Sequence, residues 1–307
     1  MIRPSYIVDT DAGPDDIMAL AYFLARGDID IEAITVSYGL AHGPAGAANL
    51  ARVVALCERD IPVYIGKEGG GPAFPDRWRV LSDTLPGVDL PQRYRLPESK
   101  PAAAFLAERL ADVGRPVRML ALGALNNLAA VCSAGEAPAA LTDLVMMGGA
   151  FEVPGNVIDS GNFRTPTDRA EWNLFVDPHA AEVVLRTDIP TLVIPLDATN
   201  TVPITSAFID RFRDLPSSPL SRLTCQLLET IRPYAEIGTY YAWDPLAAVA
   251  MLHPHIVHTT HHGITIEQHA PHAGTTRRSH TGLLKSVAYG ADAAQFQELF
   301  LGAFQAI

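Results

Sequence analysis

The segment that decides the fold lies at residues 5–16, Ser-Tyr-Ile-Val-Asp-Thr-Asp-Ala-Gly-Pro-Asp-Asp. The apolar run Tyr6–Val8 predicts a short strand, and residues 15–25 predict a helix with Ile17, Leu20 and Leu24 on one face. Pro14 suits the first position of that helix. Ligands bind beyond the carboxyl ends of strands in open α/β sheets, so the acidic loop stands where a binding site is expected.

The same alternation of short apolar runs and longer Ala/Leu-rich segments continues along the chain. Further strands are predicted at residues 31–37, 117–122, 141–147, 191–196, 263–267 and 284–289, and a further helix at 45–57. This order predicts an α/β fold with a mostly parallel central sheet and flanking helices, open and Rossmann-like. We expect one domain over residues 1–307, with long functional loops at 66–100 and 150–170.

Composition limits the classes of function. The 307 residues are 48% hydrophobic and 19% charged, with 23 Lys and Arg against 34 Asp and Glu, a net charge of −11. This balance argues against a nucleic-acid partner, which needs a local excess of basic residues. We expect no membrane span, because no apolar run approaches 18 residues, and no signal peptide at the N-terminus. Three widely spaced cysteines suit the reducing cytoplasm.

The loop after the first strand carries four aspartates in eight residues, Asp9, Asp11, Asp15 and Asp16. Helix-start chemistry explains Asp15 and Asp16 but not all four. Four like charges this close repel one another, and oxygen ligands favour Ca²⁺ or Mg²⁺ over zinc. An alternative is a phosphatase with an aspartyl nucleophile in a DxDx(T/V) signature, although Gly13 occupies the fifth position here. The eight histidines between residues 253 and 280 form no recognised zinc motif.

Residues 9–16 resemble the DxDxGxDD signature of the nucleoside hydrolases, which cleave the N-glycosidic bond of ribonucleosides. Further segments resemble that family in the same order along the chain. They are Gly-Ala-Leu-Asn-Asn-Leu-Ala at 123–129, Met-Gly-Gly-Ala at 147–150, Gly155-Asn156, Ala-Glu-Trp-Asn at 170–173, Val-Asp-Pro at 176–178 and Trp-Asp-Pro-Leu-Ala at 243–247. The resemblance implies the fold of that family and a small-molecule nucleoside substrate. It also implies a homo-oligomer, a dimer or a tetramer.

The resemblance also implies roles for individual residues. The implied Ca²⁺ ligands are Asp11, Asp16, Asp244 and the backbone carbonyl of Asn126. Asp11 is then the general base that activates a Ca²⁺-bound water. For Asn126 and Asn127 the alternative is helix capping.

The substrate contacts implied by the resemblance begin with the ribose. Asp15 and Asn173 would hold the 2′ and 3′ side, with Glu171 and Asn156 at the 5′-hydroxyl. Gly161-Asn162 is a rival match for Gly155-Asn156.

The base pocket departs from the better-known members, which carry His before the late Asp as a proton donor. Trp243 stands there instead, and Trp78 resembles the aromatic loop of the purine-specific branch, in which two tryptophans sandwich the base. We therefore expect a purine preference, with Trp172 more typical of packing. Leu40 and Ala12 depart from residues that relatives carry at these positions. Either the ligand contacts differ at these positions or the substrate is not a standard purine ribonucleoside. Leu40 and the absence of His before the late Asp also keep open a non-catalytic nucleoside-binding or ribose-binding relative.

The segment from Tyr234 to Tyr241 lies just before the late Asp. It is either a mobile lid or aromatic packing.

Overall fold

The computed structural model describes residues 4–67, 76–132, 136–157 and 167–305, without the side chain of Trp78. The strands are β1 Ser5–Thr10, β2 Ile31–Val36, β3 Val63–Ile65, β4 Val117–Ala121, β5 Leu141–Met147, β6 Thr191–Ile194, β7 Val257–Ile266, β8 Thr276–Ser279 and β9 Lys285–Ala291. The helices are α1 Pro14–Ala25, α2 Gly43–Ala55, α3 Val80–Thr84, α4 Ala102–Leu110, α5 Asn126–Ala129, α6 Trp172–Val176, α7 Pro178–Leu185, α8 Leu196–Thr199, α9 Ser206–Arg213, α10 Pro219–Glu236, α11 Trp243–Leu252 and α12 Ala293–Gln305. Short 3₁₀ turns cover Asp76–Trp78 and Pro254–Ile256.

In this part of the chain the strands form one sheet in the order β3-β2-β1-β4-β5-β6-β9-β7-β8. All neighbours from β3 to β9 pair in parallel, whereas β7 pairs antiparallel with β9 and β8 pairs antiparallel with β7. The predicted α/β fold with a mostly parallel sheet is confirmed. The strand order reverses between β1 and β4, and ligands bind at such switch points in open α/β sheets.

The sheet carries hydrophobic cores on both faces, because successive side chains of a strand point to opposite sides. Val8 and Leu120 face the core under α1, α10 and α11, whereas Ile7 and Met119 face the core under α4, α5 and α7. Helix α1 is buried along almost its whole length and packs against α11. This packing places the beginning of α11 beside the loop between β1 and α1.

The structure differs from the predicted local structure in three ways. Part of the expected loop at 66–100 is helical, in the 3₁₀ turn and α3. Asp83 of α3 is tied to α2, where its Oδ1 accepts from the main-chain N–H of His42 at 2.8 Å. This contact between distant residues is absent from any local pattern. The strand predicted at 263–267 is the end of the longer β7, and β3 and β8 were missed.

The start of β7 is polar at successive positions, His-Thr-Thr-His-His at 258–262, and exposed or half-buried throughout, so no apolar alternation marks it as a strand. Among the described residues, no helix combines the length and the apolar character needed to cross a bilayer.

Candidate active site

A cavity of about 680 Å³ opens at the carboxyl ends of β1 and β4, the switch point of the sheet. Pockets of this size accommodate small-molecule ligands. One part of the lining, here called the acidic wall, carries Asp11, Asp15, Asp16 and Asp244. Another part, the aromatic wall, carries Tyr240, Tyr241 and Trp243. The lining residues include Asp11, Asp15, Asp16, Leu40, Leu81, Ser82, Leu122, Met147, Gly155, Asn156, Glu171, Trp172, Asn173, Asn200, Ile231, Tyr234, Thr239, Tyr240, Tyr241, Trp243 and Asp244.

Asp16 is fixed by the backbone turn that begins α1. Its Oδ1 accepts from Thr10 Oγ1 at 2.5 Å and from the N–H of Asp11 at 3.1 Å, and its Oδ2 accepts from the N–H of Gly13 at 3.0 Å. The carboxylate therefore caps the helix and shapes the loop at the same time. The helix-start interpretation of Asp16 and a ligand role are compatible, because a carboxylate has about four lone-pair sites.

Asp11 lies at the centre of the acidic wall, 1% exposed. Its Oδ2 accepts from the main-chain N–H of Leu40 at 2.8 Å, and its Oδ1 is buried. Gly39 and Gly123 have no side chain, so the main chain at these two positions can lie close to Asp11. A Cβ at Gly39 would overlap the Asp11 carboxylate, and one at Gly123 would lie 2.9 Å from the Asp11 nitrogen.

Asp244 is the long-range member of the acidic wall. It lies in the first turn of α11 and is 3% exposed. Oxygens of Asp15, Asp16 and Asp244 all lie within 4.8 Å of one another, the arrangement of a metal site. The sequence prediction put Asp11 in this group and Asp15 on the ribose, whereas the structure brings Asp15 into the group and places Asp11 beside it.

Burial is the main cause of the shifted pKa values in this wall. It raises the pKa of Asp11, and burial with the negative charge of Asp11 raises the pKa of Asp15 to about 7. The pKa of Asp16 and that of Asp244 are raised well above their usual range by burial and then by neighbouring carboxylates. A divalent cation would relieve this repulsion, and an all-oxygen donor set suits such an ion.

Asn126 does not join the acidic wall. Its carbonyl accepts from the N–H of Ala130 at 3.2 Å, its side chain donates to the Lys67 carbonyl at 3.3 Å, and it is not among the cavity-lining residues. Leu122, at the end of β4, lines the cavity instead, and its carbonyl accepts from Asn173 Nδ2 at 2.8 Å. Sequence reasoning missed Leu122 although it is the last residue of the strand predicted at 117–122, where the sheet edge is expected.

The neighbouring Asn127 has a structural role. Its Nδ2 donates to Oδ1 of the buried Asp9 at 2.8 Å, and Thr35 Oγ1 donates to the same oxygen. Burial raises the pKa of Asp9 to about 7, and these two donors act in the opposite direction. Asp9 thus connects the end of β1 to Thr35 and Asn127 through hydrogen bonds and is not among the residues that line the cavity.

Glu171 and Asn173 are oriented by main-chain groups. Glu171 caps α6, with its oxygens accepting from the N–H groups of Gly149, Asn173 and Leu174 at 3.0–3.3 Å. Burial raises the pKa of Glu171 to about 7. Asn173 Nδ2 donates to the carbonyls of Leu122 and Met147, so its side-chain oxygen is the atom that can meet a ligand.

Asn156 also lines the cavity, and its Oδ1 accepts from the main-chain N–H of Trp172 at 2.8 Å. Its rival, Gly161-Asn162, lies outside the described residues.

The aromatic wall is built around Trp243, the first residue of α11. Tyr240 and Tyr241 make edge contacts with its ring, at centroid distances of 4.7 and 6.1 Å. Burial raises the pKa of Tyr240 well above its usual range. Tyr234 belongs to α10 and is 51% exposed at the cavity rim. The side chain of Trp78 lies outside the described part of the structure, so the predicted tryptophan pair is represented here by Trp243.

An α/β fold of this order, with a carboxylate cluster and aromatic side chains in a cavity at its switch point, forms a binding site for a small polar ligand. A sequence model of the inosine-uridine preferring nucleoside hydrolase family matches residues 6–298. The pyrimidine-specific ribonucleoside hydrolase RihA of Salmonella paratyphi B is 31% identical over 276 residues, which is 85% of this chain and 83% of that protein.

Two solved structures share the fold. The inosine-uridine preferring nucleoside hydrolase of Bacillus anthracis superposes with a TM-score of 0.84 at 23% identity, over 99% of this chain and 100% of that one. The purine-preferring ribonucleoside hydrolase of Gardnerella vaginalis gives 0.82 at 24% identity, over 98% of both chains. The chain belongs to the inosine-uridine preferring nucleoside hydrolase family and is a ribonucleoside hydrolase. The phosphatase and non-catalytic interpretations have no support from these matches.

Proposed function

We propose that this protein hydrolyses the N-glycosidic bond of ribonucleosides with a preference for purines, using Ca²⁺ and Asp11 as the general base. The observation that carries the proposal is the convergence of Asp15, Asp16 and Asp244 within 4.8 Å beside Asp11, on one wall of the cavity. The aromatic wall around Trp243 shares the same cavity. The acidic wall therefore suits the sugar of a nucleoside, and the aromatic wall suits the base attached to that sugar.

The residues that would hold Ca²⁺ are Asp11, Asp16 and Asp244, with Asp15 available in the same cluster. When bound, the ion would lower the pKa of a water molecule and neutralise the acidic wall. The expected main-chain ligand was Asn126, but among the described main-chain oxygens that of Leu122 is the better candidate. It belongs to a cavity-lining residue and already faces the Asn173 side chain.

Asp11 would accept a proton from the attacking water as the water oxygen bonds to the anomeric carbon. The C–N bond breaks in the same process, its electron pair passes to the base, and the base takes up a proton from solvent water, while Asp11 later returns its own proton to solvent. The sugar carries developing positive charge in this transition state, which nearby carboxylates stabilise.

The ribose would lie against four side chains. Asp15 and the Asn173 oxygen would bind the 2′ and 3′ hydroxyls, and Glu171 with Asn156 would bind the 5′-hydroxyl. All four line the cavity. The main-chain hydrogen bonds of Glu171 and Asn173 support these roles, because side chains fixed in advance lose little freedom when a substrate binds.

The purine preference rests on stacking of the base against Trp243, with Trp78 as the second aromatic residue. A larger purine gains more from an aromatic face than a pyrimidine does. A pyrimidine preference is the competing candidate, because the RihA relatives are named as pyrimidine-specific.

The deciding experiment incubates the protein with inosine, adenosine, guanosine, uridine and cytidine in Ca²⁺, Mg²⁺ or chelator, and measures ribose release. We expect inosine to be cleaved at a higher kcat/KM than uridine, with loss of turnover in chelator and recovery with Ca²⁺. Asp11→Asn should abolish turnover, whereas the exposed Asp28→Asn should not. A higher kcat/KM for uridine would overturn the purine preference, and an active Asp11→Asn variant would overturn the catalytic assignment.

We further infer a homo-oligomer, a dimer or a tetramer, acting in the cytoplasm. The three cysteines are free thiols, which suits a reducing compartment. Light scattering after size-exclusion chromatography tests the assembly, and a monomer at micromolar concentration would contradict it.

A further inference from the structure

The loop after β5, residues 148–156, is held at its start by acceptors from other parts of the chain. The N–H of Gly148 donates to the carbonyl of Ile194 at 3.1 Å. The N–H of Gly149 donates to Glu171 Oε2 at 3.0 Å. Gly149 has a φ of +93°, a conformation that favours glycine. The loop therefore leaves the sheet in a fixed direction.

Asp197, the second residue of α8, holds the next part of this loop. Its Oδ2 accepts from the main-chain N–H of Phe151 and its Oδ1 from that of Glu152, both at 2.8 Å. The two donors are 46 and 45 residues away in the sequence. Hydrogen bonds to an ionised acceptor are stronger than neutral ones, so this pair restrains the loop firmly. Asp197 is not among the residues that line the cavity.

The loop connects the two side chains that are proposed to bind the 5′-hydroxyl. At its start, Gly149 donates to the Glu171 carboxylate. At its end lies Asn156, which lines the cavity. Asp197 holds the segment between these two points, so a shift of Asp197 would be passed to both of them.

We propose that Asp197 is a positioning residue for the 5′-hydroxyl end of the ribose site, because it fixes the loop that orients Glu171 and carries Asn156. The inference rests on the proposed function, in which these two residues bind that hydroxyl. An aspartate suits this role because its carboxylate offers acceptors only. The amide of an asparagine would direct a donor toward one of the two main-chain donors.

The test in activity uses Asp197→Asn with two substrates, inosine and 5′-deoxyinosine, which differ only in the 5′-hydroxyl. We expect kcat/KM for inosine to fall by about 10-fold or more and that for 5′-deoxyinosine to stay within about two-fold, since the displaced contacts meet only the first substrate. The ratio of the two kcat/KM values is the readout. A merely structural role would lower both values alike and leave the ratio unchanged.

The matched control is Asp188→Asn, at the opposite end of the same strand. Asp188 precedes β6 as Asp197 follows it, and its Oδ1 accepts from the main-chain N–H of Ala137 at 3.1 Å. This variant should keep the wild-type ratio. A second variant, Asp197→Glu, keeps both acceptor oxygens but displaces them by one methylene group, and it should lower the ratio as well.

Hydrogen exchange provides a measurement that is independent of turnover. Exchange followed by mass spectrometry reports how readily the main-chain N–H groups of residues 148–156 open to water. We expect these groups to exchange faster in Asp197→Asn than in the wild type, and at the wild-type rate in Asp188→Asn.

Three results would each overturn the inference. They are an unchanged ratio in Asp197→Asn, wild-type exchange of residues 148–156 in that variant, and equal kcat/KM values for the two substrates in the wild type. If the wild type cleaves neither substrate, the proposed function fails instead, and the exchange measurement still decides whether Asp197 holds the loop.

Discussion

The main-chain N–H of Leu40 donates to Oδ2 of Asp11 across a separation of 29 residues. The loop after β2 thereby reaches over the loop after β1 and holds its central carboxylate. The side chain of Leu40 departs from the residues expected in relatives, but the hydrogen bond to Asp11 comes from its backbone. The departure therefore leaves the restraint on Asp11 intact, and only a side-chain contact with substrate would be lost.

Gly39→Ala should damage catalysis far more than stability. The added methyl group would overlap the Asp11 carboxylate and push it out of place. A displacement of about 1 Å in a catalytic group can lower turnover by about 100-fold, and we expect kcat to fall by that order. Gly27→Ala is the matched control, because nothing lies within 4 Å of its added methyl group. Steady-state kinetics of the two variants checks this, and equal kcat values would contradict it.

Removal of the metal should destabilise the fold. Burial and mutual repulsion raise the pKa values of Asp16 and Asp244, and a bound cation offsets this repulsion. A cation at 100 times its Kd stabilises the fold by about 2.7 kcal/mol, which for a chain of this length raises Tm by about 4 °C. Thermal melts in chelator, Ca²⁺ and Mg²⁺ measure the shift.

Asp244→Asn should abolish that metal-dependent shift, and Asp28→Asn should retain it. A Tm that Ca²⁺ leaves unchanged in the wild type would remove the calcium assignment. A larger increase in Tm with Mg²⁺ than with Ca²⁺ would assign the site to magnesium instead of calcium.

Asn127→Leu should lower the free energy of unfolding by about 1–3 kcal/mol, because the buried Asp9 loses a hydrogen-bond donor. The neighbouring Asn126→Ala is the control. Among the described residues, its side chain makes one long hydrogen bond, to the Lys67 carbonyl, so we expect a smaller loss. Urea unfolding measures the free energy of unfolding of both variants. An equal decrease in the two variants would show that Asn127 has no special structural role.

Trp243→Ala should lower kcat/KM for inosine by about 10-fold to 100-fold, the size expected for loss of one stacking partner. Trp243→Phe keeps an aromatic face and should lose less. The ratio of kcat/KM for inosine to that for uridine is the informative quantity. If Trp243→Ala leaves this ratio unchanged, the aromatic wall does not select the base.

Much of the fold could be predicted from local patterns. The strands near residues 5–10 and 141–147 and the helices near 14–25 and 43–55 were found because their hydrophobic periodicity is strong. Helix α3 was missed because the hydrogen bonds that hold it come from residues distant in the sequence, among them His42, 41 residues from Asp83, and Asn49. The start of β7 was missed because residues 258–262 are all polar, so the apolar alternation of a strand is absent there.

The sequence by itself determined that residues 9–16 form an acidic loop between a strand and a helix, since both flanking elements follow from local periodicity. It also determined the family, because the motifs occur in a fixed order. Only the tertiary structure decided which oxygens meet. Packing of α1 against α11 brings Asp244 to Asp16 from 228 residues away, and the parallel pairing of β1 and β4 brings Leu122, and not Asn126, to the cavity. Contacts between residues so distant in the sequence depend on how whole helices and strands pack, and local sequence patterns do not determine that packing.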